Sequence, residues 1–436
     1  MPLSAIKARQ TEDGNALLRG LAAYGSAELV VRVTRILTVI VIARRLSPEL
    51  MGAAALALSL FELVRVLANA GIGQRIIAAP EALLAATCNS AHRLFWIWCP
   101  MITVLQLALA ALLSATQPAA AAMLALLSLV YLTMPAGLVQ VFLLMREGRL
   151  TTTARIGATQ TLADHLLTLV LVLAWPDPAS IAFAIVLPKL LTTPIWLAAV
   201  RRARPWVRDA AAGFVPAAGF VRFGAGVLAT EIAGAARAQI DKLIISALLG
   251  VKALGIWYFA FNAGLGITTS FVSAFGTVLF PWLCKAIDRE ARALRYRRGL
   301  LIGLAVFLPM TLAQVLLAPI YVPLLFGSQW TDAAPLVALL GLAALPMVAS
   351  AATTAWLRAD GATSLDAAIS TTATIAALAA LALAAPHGLS MAAAAYVAGL
   401  ALILVPATIA VFTRSTAGTR LSSPLPSVIT NKENFA

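Results

Sequence analysis

The chain has 436 residues, of which 61% are hydrophobic and 11% charged, and its mean hydropathy is +0.92. Soluble domains carry about 25% charged residues, so this composition excludes an ordinary water-soluble globule. A net charge of +14 would suit a nucleic-acid binder, but most Lys and Arg residues lie in short connections between apolar segments. That distribution is typical of membrane topology, and no nucleic-acid partner is expected.

Apolar stretches of about 20 residues, each long enough to cross a ~30 Å hydrocarbon layer, recur along the chain. They predict an all-α polytopic membrane protein with twelve transmembrane helices. The predicted spans are 21–43, 52–74, 94–115, 119–144, 156–175, 179–200, 223–249, 255–284, 299–318, 334–357, 363–385 and 389–412. Residues 1–20 are too polar for a cleaved signal peptide, so they are interpreted as a cytoplasmic segment before a retained first span.

The basic residues distribute unequally between the two sides of the membrane. If the N-terminus is cytoplasmic, the connections on that side hold 23 of the 32 Lys and Arg residues, and those on the other side hold three. Cytoplasmic connections carry the excess of basic residues in membrane proteins. The pattern therefore predicts a multi-pass protein with both termini in the cytoplasm, and residues 413–436 read as a cytoplasmic, disordered tail.

Two short similarities relate the halves of the chain. The segment ARRLSPELMGAAALALS (43–59) aligns, 203 residues further on, with SALLGVKALGIWYFAFN (246–262), so that Gly52 matches Gly255. The segments FLLMREGRLTT (142–152) and AWLRADGATS (355–364) both place an Arg, an acid and a Gly at the end of an even-numbered span. Parallel repeats of this kind build transporters with two lobes around a central cleft.

The repeats predict two six-helix lobes related by a pseudo-two-fold axis along the membrane normal. The N-lobe is residues 21–200 (spans one to six) and the C-lobe is residues 223–412 (spans seven to twelve). The inter-lobe linker 201–222 is basic and contains prolines. It suits an amphipathic segment lying on anionic membrane lipids, with a plain cytoplasmic linker as the alternative.

Charged residues inside the spans carry the functional prediction, because a charge at mid-bilayer costs about 2.5–3.5 kcal/mol. They cluster in spans one, two and seven. The polar residues of these clusters are Glu28, Arg32 and Arg35, then Glu62, Arg65 and Asn69, then Glu231, Arg237 and Asp241. The functional interpretation is a wet cleft, net positive through Arg32, Arg35, Arg65 and Arg237, that binds an anionic head group, since guanidinium groups offer forked donors to phosphate.

The structural interpretation is that local pairs neutralise one another. Glu28–Arg32 and Arg237–Asp241 have i, i+4 spacing and Glu62–Arg65 has i, i+3 spacing, which allow ion pairs on one helix face. Arg35 has no acid three or four residues away. It is therefore the sharpest candidate for contact with a phosphate.

Other polar residues in the spans leave two interpretations open. Asp241 and the adjacent Lys242 either support the cleft or snorkel to the membrane surface. Asp164 and His165 either relay a proton or form an interhelical contact. Lys189 is either a counter-ion in the cleft or a snorkelling residue. The candidates for cleft support or ion coupling are Glu28, Glu62, Asn69, Asp164, Lys189, Glu231 and Asp241.

No constellation for catalysis is present in the sequence. There is no Walker motif, no GxSxG and no set of His or Cys residues with metal-ligand spacing among the three His and three Cys. The sequence predicts no enzyme, no cofactor and no metal. Without an ATP-binding domain, a H⁺ or Na⁺ gradient is a candidate source of energy for transport.

Four segments resemble the bacterial polysaccharide exporter and oligosaccharide flippase family, part of the multidrug/oligosaccharidyl-lipid/polysaccharide exporter superfamily. RILTVIVIARRLSPELMGAAALALSLFELVRVLANAGIGQRII (35–77) resembles its first two helices, and FLLMREGRLTTTARI (142–156) its helix-four exit. ARAQIDKLIISALLGVKALGIWYFAFNAG (236–264) is similar to its helix seven to eight junction, and LLFGSQWTDAAPLVALLGLAALP (324–346) to its ninth to tenth.

The resemblance implies an inner-membrane flippase that moves an undecaprenyl-pyrophosphate-linked oligosaccharide by alternating access. Exopolysaccharide or lipopolysaccharide synthesis would be the pathway class, with glycosyltransferases and a polysaccharide polymerase as partners. The resemblance transfers a role in the cleft to Arg35, Arg65, Arg237 and Asp241, which lie in matching segments, whereas Arg32 rests on the charge argument alone. The alternatives are a peptidoglycan-precursor flippase, a cation-coupled multidrug exporter, and, from another class, a membrane polymerase or ligase.

Overall fold

Within a bilayer, a backbone must satisfy its own hydrogen bonds, which favours helices over open strands. The structure, a computed structural model, describes residues 33–68, 71–175 and 177–416, and every regular element in these ranges is helical. The predicted N-terminal segment 1–20 and the last residues of the predicted tail, 417–436, lie outside the described residues.

The helices follow the predicted spans closely. Numbered in chain order, they are α1 (33–45), α2 (Pro48–Leu67), α3 (Ile72–Ile77), α4 (Leu84–Ser114), α5 (Pro118–Thr133), α6 (Leu138–Arg146), α7 (Leu150–Ala174), α8 (Pro178–Phe183), α9 (Leu187–Ala203), α10 (Ala217–Ala260), α11 (Gly266–Cys284), α12 (Arg289–Tyr321), α13 (Ala334–Gly341), α14 (Ala344–Ala359), α15 (Thr363–Ala384) and α16 (Leu389–Thr416).

Ten helical segments of the described chain are long and apolar enough, by length and composition, to cross a membrane. They correspond to all the predicted spans except the first and the eighth. The first is described only from residue 33, as α1, and the eighth is divided between the end of α10 and α11. Gly250, with φ of 85°, breaks α10 at the predicted turn between spans seven and eight.

The helix bundle has two ends, the turn end and the basic end. The turn end carries the α1–α2 turn (residues 46–47) and the break at Gly250. The basic end carries the arginine-rich connections around residues 146–155, 201–208 and 285–298. Consecutive spans run in opposite directions, so alternate connections meet at the same end.

The two lobes touch backbone to backbone at the turn end. A Cβ atom at Gly52 would lie 1.9 Å from the carbonyl oxygen of Val251, and one at Gly255 would lie 1.8 Å from that of Pro48. Val251 and Gly255 are the residues 203 positions after Pro48 and Gly52. The two contacts are therefore equivalent, as a two-fold axis requires. Only glycine fits at positions 52 and 255, because a Cβ atom would overlap the facing carbonyl oxygen.

Other equivalent residues follow the same symmetry. Glu49 and Lys252, again 203 positions apart, form an ion pair of 3.1 Å across the axis. The glycines of the second sequence similarity, Gly148 and Gly361, both adopt positive φ, 68° and 83°. Each follows the end of an even-numbered span, where a left-handed residue terminates a helix and glycine adopts it without steric cost.

Hydrogen bonds between the lobes seal the turn end further. Arg44 donates to the carbonyl oxygens of residues 324–325, each at 2.7 Å. The indole N–H of Trp330 donates to the carbonyl oxygen of Ala43 at 2.7 Å, and the amide of Gln329 donates to the same oxygen. The end of α1 is therefore fixed to the connection that precedes α13.

Packing within each half completes the lobes. The helices α4, α5, α6, α7 and α9 pack mainly on one another and, through α5, on α2, whereas α11, α12, α13, α14, α15 and α16 pack mainly on one another. The long α10 packs along α2 and so joins the halves. One apolar core runs through both lobes, and a second lies wholly within the C-lobe.

Of the two interpretations of the inter-lobe linker, its described form agrees with the plain linker. Residues 204–216 form a loop with one short 3₁₀ turn, Ala210–Ala212, rather than a helix. Asn89 of α4 donates to the carbonyl oxygens of Asp209 and Gly213 at 2.6 and 2.9 Å. The loop is thus bonded to the N-lobe through its backbone, because a segment broken by two prolines and a positive-φ glycine cannot continue a helix.

Replacing Gly52 or Gly255 by Ala would drive a methyl group into the partner carbonyl. We expect a loss of stability of about 1–3 kcal/mol, measured as a lower midpoint of thermal unfolding of the purified protein in detergent. Gly157→Ala is the matched control, since a Cβ there meets no atom within 4 Å. Equal midpoints for the three variants would contradict the close-packed axis.

Candidate functional site

A cavity of about 740 Å³ lies between the lobes. We call it the central cavity. Its walls come from α1, α2, α7, α8–α9 and α10, from the π-helical turn Phe261–Leu265 and from the start of α11. Its polar lining residues are Arg35, Thr38, Ser59, Glu62, Thr161, Asp164, His165, Thr168, Lys189, Gln239, Lys242, Tyr258, Asn262 and Thr269. The sealed turn end lies beyond Ile42 and Met51, which line the same cavity.

Arg35 reaches across the cavity to the opposite lobe. Its Nη2 donates to the side-chain oxygen of Asn262 at 2.8 Å, and the amide nitrogen of Asn262 in turn donates to the carbonyl oxygen of Tyr258 at 2.8 Å. The partner of Arg35 is therefore a neutral amide. Within the described part of the chain, no carboxylate forms an ion pair with Arg35, so its charge stays available to a ligand.

Glu62 connects two cations. Its carboxylate accepts from Nε of Arg65 at 2.7 Å and lies 3.9 Å from Nζ of Lys189. The first contact is the predicted i, i+3 pair on α2. The second joins α2 to α9, which places Lys189 in the cavity as a counter-ion, one of the two alternatives for this residue.

A side pocket of about 430 Å³ continues from Glu62 toward the basic end. Arg65 and Glu231 line this side pocket, and Gln239 lines both it and the central cavity. Arg65 is exposed, with 47% of its side chain accessible. Two of the predicted cleft residues therefore lie beside the central cavity rather than in it.

Asp164 forms an interhelical contact. Its carboxylate accepts a short hydrogen bond from the hydroxyl of Thr192, which links α7 to α9. His165 lines the cavity next to it. This bond agrees with the interhelical contact, one of the two interpretations of Asp164. Asp164 also lines the central cavity.

Asp241 and Lys242 are buried, with 4% and 7% exposure, and do not snorkel to the surface. Nζ of Lys242 lies 3.2 Å from Asp241 and donates to the carbonyl oxygen of Ala238 at 2.7 Å. The indole N–H of Trp257 donates to the other oxygen of Asp241 at 3.0 Å. Burial forces this pairing, since an unpaired charge there would be costly.

The prediction for Arg237 is wrong in the structure. Its Nη1 donates to the hydroxyl of Ser370 on α15 at 2.9 Å, and it lines neither the central cavity nor the side pocket. It also forms no ion pair with Asp241, which is bonded to Lys242 and Trp257 instead. Spacing along α10 indicated a shared face, but Arg237 is exposed and bonds to α15 outside the cavity.

Three further predicted residues, Glu28, Arg32 and Asn69, lie outside the described residues. Among the described residues, the predicted strongly basic cleft is corrected to a mixed one. Three cations (Arg35, Lys189 and Lys242) and two carboxylates (Glu62 and Asp164) line the central cavity. Lys189 is paired with Glu62 and Lys242 with Asp241. Among these three cations, Arg35 is the one whose bonded partner, Asn262, is uncharged.

The charged lining belongs mainly to the N-lobe. The residues 203 positions after Arg35 and Glu62 are Ala238 and Leu265, which are uncharged. Asn262, which sequence reasoning missed, is the equivalent of Ser59, and both line the cavity. The internal alignment therefore contained the signal for Asn262. For Lys242, the sequence left cleft support and snorkelling open, and the structure places it in the cavity wall.

Two helical lobes around a polar cavity, joined by a backbone contact on a pseudo-two-fold axis, define a class of protein. Many polytopic transporters are built from a parallel repeat of this kind. Comparisons with known proteins specify the class further.

A family model described as polysaccharide biosynthesis protein matches residues 41–335. The chain is 27% identical over 317 residues to the succinoglycan biosynthesis transport protein ExoT of Rhizobium meliloti (strain 1021), which covers 71% of this chain and 62% of that protein. The chain thus spans less than two thirds of this relative's length.

Solved structures show the same fold at low sequence identity. The lipid II flippase MurJ in an inward closed conformation has a TM-score of 0.72 and 11% identity, covering 91% of this chain and 90% of that one. An inward-facing multidrug resistance MATE family transporter has a TM-score of 0.68 and 16% identity, covering 88% and 95%. They confirm the predicted twelve-helix, two-lobe fold.

The chain belongs to the polysaccharide biosynthesis protein family, since the family model covers more than half of its residues. The MATE structure compared above is described as a member of the MOP superfamily. The predicted resemblance to a polysaccharide family is thereby confirmed at the level of the family.

The buried Asp241–Lys242 pair provides a test of the site's energetics. Asp241→Leu leaves Lys242 charged without its partner, and we expect a loss of about 3–5 kcal/mol of stability. The double variant Asp241→Leu with Lys242→Met should recover most of it, as followed by thermal unfolding in detergent.

The exposed pair Glu49–Lys252, with 52% and 67% accessible side chains, is the control for this test. Glu49→Gln should cost no more than about 1 kcal/mol. A double variant of Asp241 and Lys242 that is no more stable than Asp241→Leu alone would contradict the proposed charge pairing.

Proposed function

We propose that this protein is a flippase that moves an undecaprenyl-pyrophosphate-linked oligosaccharide across the bacterial inner membrane by alternating access. The observation that carries the proposal is Arg35, which faces the central cavity with a neutral amide as its hydrogen-bond partner. A guanidinium remains charged and donates to phosphate oxygens in a forked geometry. The membership of the chain in a polysaccharide biosynthesis family supports a sugar-linked substrate.

The cavity has the size and surroundings that such a head group needs. At about 740 Å³ it falls within the range of roughly 300–1,000 Å³ for ligand pockets. Lys189 and Lys242 add cationic groups, and hydroxyl and amide side chains along the walls offer hydrogen bonds to sugar oxygens. A pyrophosphate could replace Asn262 on Arg35 and compete with Glu62 for Lys189.

A multidrug exporter of cationic compounds is the rival from the same superfamily. Such a transporter would need carboxylates free to bind a cation. Here Glu62 contacts Arg65 and Lys189, and Asp164 is bonded to Thr192. Three cations and two carboxylates line the cavity, and Glu62 is already in contact with two cations, which favours an anionic substrate.

A membrane polymerase or ligase is the rival from another class. Enzymes of this kind need a sizeable outer loop that carries Arg or His. The connection between α12 and α13, residues 322–333, is formed by a π-helical and a 3₁₀ turn and contains neither residue type. We therefore propose that the protein performs transport rather than catalysis.

The orientation forms part of the proposal. The excess of Lys and Arg at the basic end supports a cytoplasmic location for that end. The sealed turn end would then face the periplasm, so the structure would represent a state closed to the outside. The two solved structures compared above are also described as inward closed and inward-facing.

Substitution of Arg35 tests the substrate contact. Arg35→Gln should lower export of surface polysaccharide at least about tenfold, because a hydrogen bond to a charged group contributes roughly 1.5–3 kcal/mol. Polymer is measured in cells that carry the variant as the only copy, with membrane abundance followed by immunoblot.

Arg237→Gln is the control, since it removes the same charge from a site that Ser370 contacts outside the cavity. It should leave polymer output unchanged. Equal output from both variants at equal abundance would exclude Arg35 as the phosphate contact.

Cysteine labelling tests the orientation. Cys88 and Cys99 are buried and Cys284 is exposed, so Cys284→Ser provides the background. In spheroplasts, an impermeant maleimide should label Ser328→Cys at the turn end, which is exposed. Ile287→Cys at the basic end, 92% exposed, should react only after permeabilisation. The reverse pattern would overturn the orientation.

A further inference from the structure

A second pocket, of about 440 Å³, lies at the basic end on the outside of the N-lobe. We call it the basic-end pocket. Its walls are the last turns of α9, one residue of α6 and the start of the inter-lobe linker. It shares no lining residue with the central cavity, so its ligand does not depend on the transport function proposed above.

A buried amide side chain without a partner lines this pocket. Gln140 of α6 is only 6% exposed, yet no described residue forms a hydrogen bond with its side chain. Its carboxamide has two donor hydrogens and an accepting oxygen, and none of them is used by another described residue. The pocket therefore presents polar groups that a ligand would satisfy.

Two arginines stand at the mouth of the pocket. Arg201 and Arg202 are exposed, and neither forms an ion pair or side-chain hydrogen bond with any residue in the described ranges. Trp206 forms another wall and is held against the His92 ring, with ring centroids 5.3 Å apart. Arginine beside tryptophan at the end of a span is the composition of the membrane interface.

An apolar stripe leads from the pocket along α9. Leu191, Ile195 and Ala198 are exposed and precede Arg202 at spacings of four, three and four residues, which place all of them on one helix face. Leu191 and Ile195 have 45% and 69% of their surface accessible. This face runs from the basic end toward the middle of the bilayer.

We propose that the basic-end pocket binds the head group of an anionic phospholipid. Arg201 and Arg202 hold the phosphate, Gln140 bonds to a head-group oxygen, and an acyl chain lies along the stripe of Leu191 and Ile195. A free phosphate would use the arginines but would leave the apolar stripe without a role. Basic pockets at the membrane surface bind anionic lipid head groups by this chemistry.

Native mass spectrometry of the full-length protein in detergent tests the site, with phosphatidylglycerol as the probe and phosphatidylcholine of the same acyl chains as the neutral comparison. Each basic residue near the surface contributes a factor of about five to anionic-lipid affinity. The variant Arg201→Gln with Arg202→Gln should therefore bind phosphatidylglycerol about 25-fold more weakly. Gln140→Met should weaken binding by about fivefold, through one lost hydrogen bond to the head group.

The charge-matched control is Arg93→Gln with Arg155→Gln, two exposed arginines at the same end that line no part of the pocket and have no ion-pair partner among the described residues. It should bind phosphatidylglycerol like the unaltered protein. An equal loss in the control, equal affinity for phosphatidylcholine, or displacement of the lipid by millimolar inorganic phosphate would each overturn the lipid site.

Discussion

The backbone contact at Gly52 and Gly255 is the constraint on which the rest of the architecture depends. Because neither residue has a Cβ, the start of α2 and the last turns of α10 approach until carbonyl oxygens occupy the missing side-chain positions. That approach fixes the axis between the lobes and closes the turn end, where the hydrogen bonds of Arg44 and Trp330 add to it. The lobes diverge from this point, and the central cavity is the space between them.

A symmetric scaffold thus holds an asymmetric set of charges. The backbone of each lobe repeats that of the other around the axis, but Arg35 and Glu62 have the apolar counterparts Ala238 and Leu265. Symmetry is needed where the lobes touch, since any bulk there would separate them. It is not needed on the cavity wall, where each charge must match a ligand or a neighbouring side chain. In the proposed cycle, most of the ionic contacts of a bound head group would belong to one lobe.

Local spacing predicted those features that depend on neighbours in the chain. The spans, the equivalence of Gly52 and Gly255, and the Glu62–Arg65 pair all follow from hydropathy or from helical periodicity. Arg35 was singled out because its helix offers it no acid, and the structure gives it a neutral partner. The prediction that Arg237 lines the cavity was wrong because periodicity shows which residues share a helix face. It does not show what that face contacts in the folded protein.

The sequence by itself determined the membrane-spanning helices, the repeat and the presence of uncompensated charge within the bilayer, because each of these depends on composition or on short-range geometry. Only the tertiary structure decided which charges meet. Asn262 contacts Arg35 from 227 residues away, and α9 brings Lys189 to Glu62. The free energy of a buried charge is set by atoms within a few ångströms of it, and in a bundle of this size most of those atoms come from distant parts of the chain.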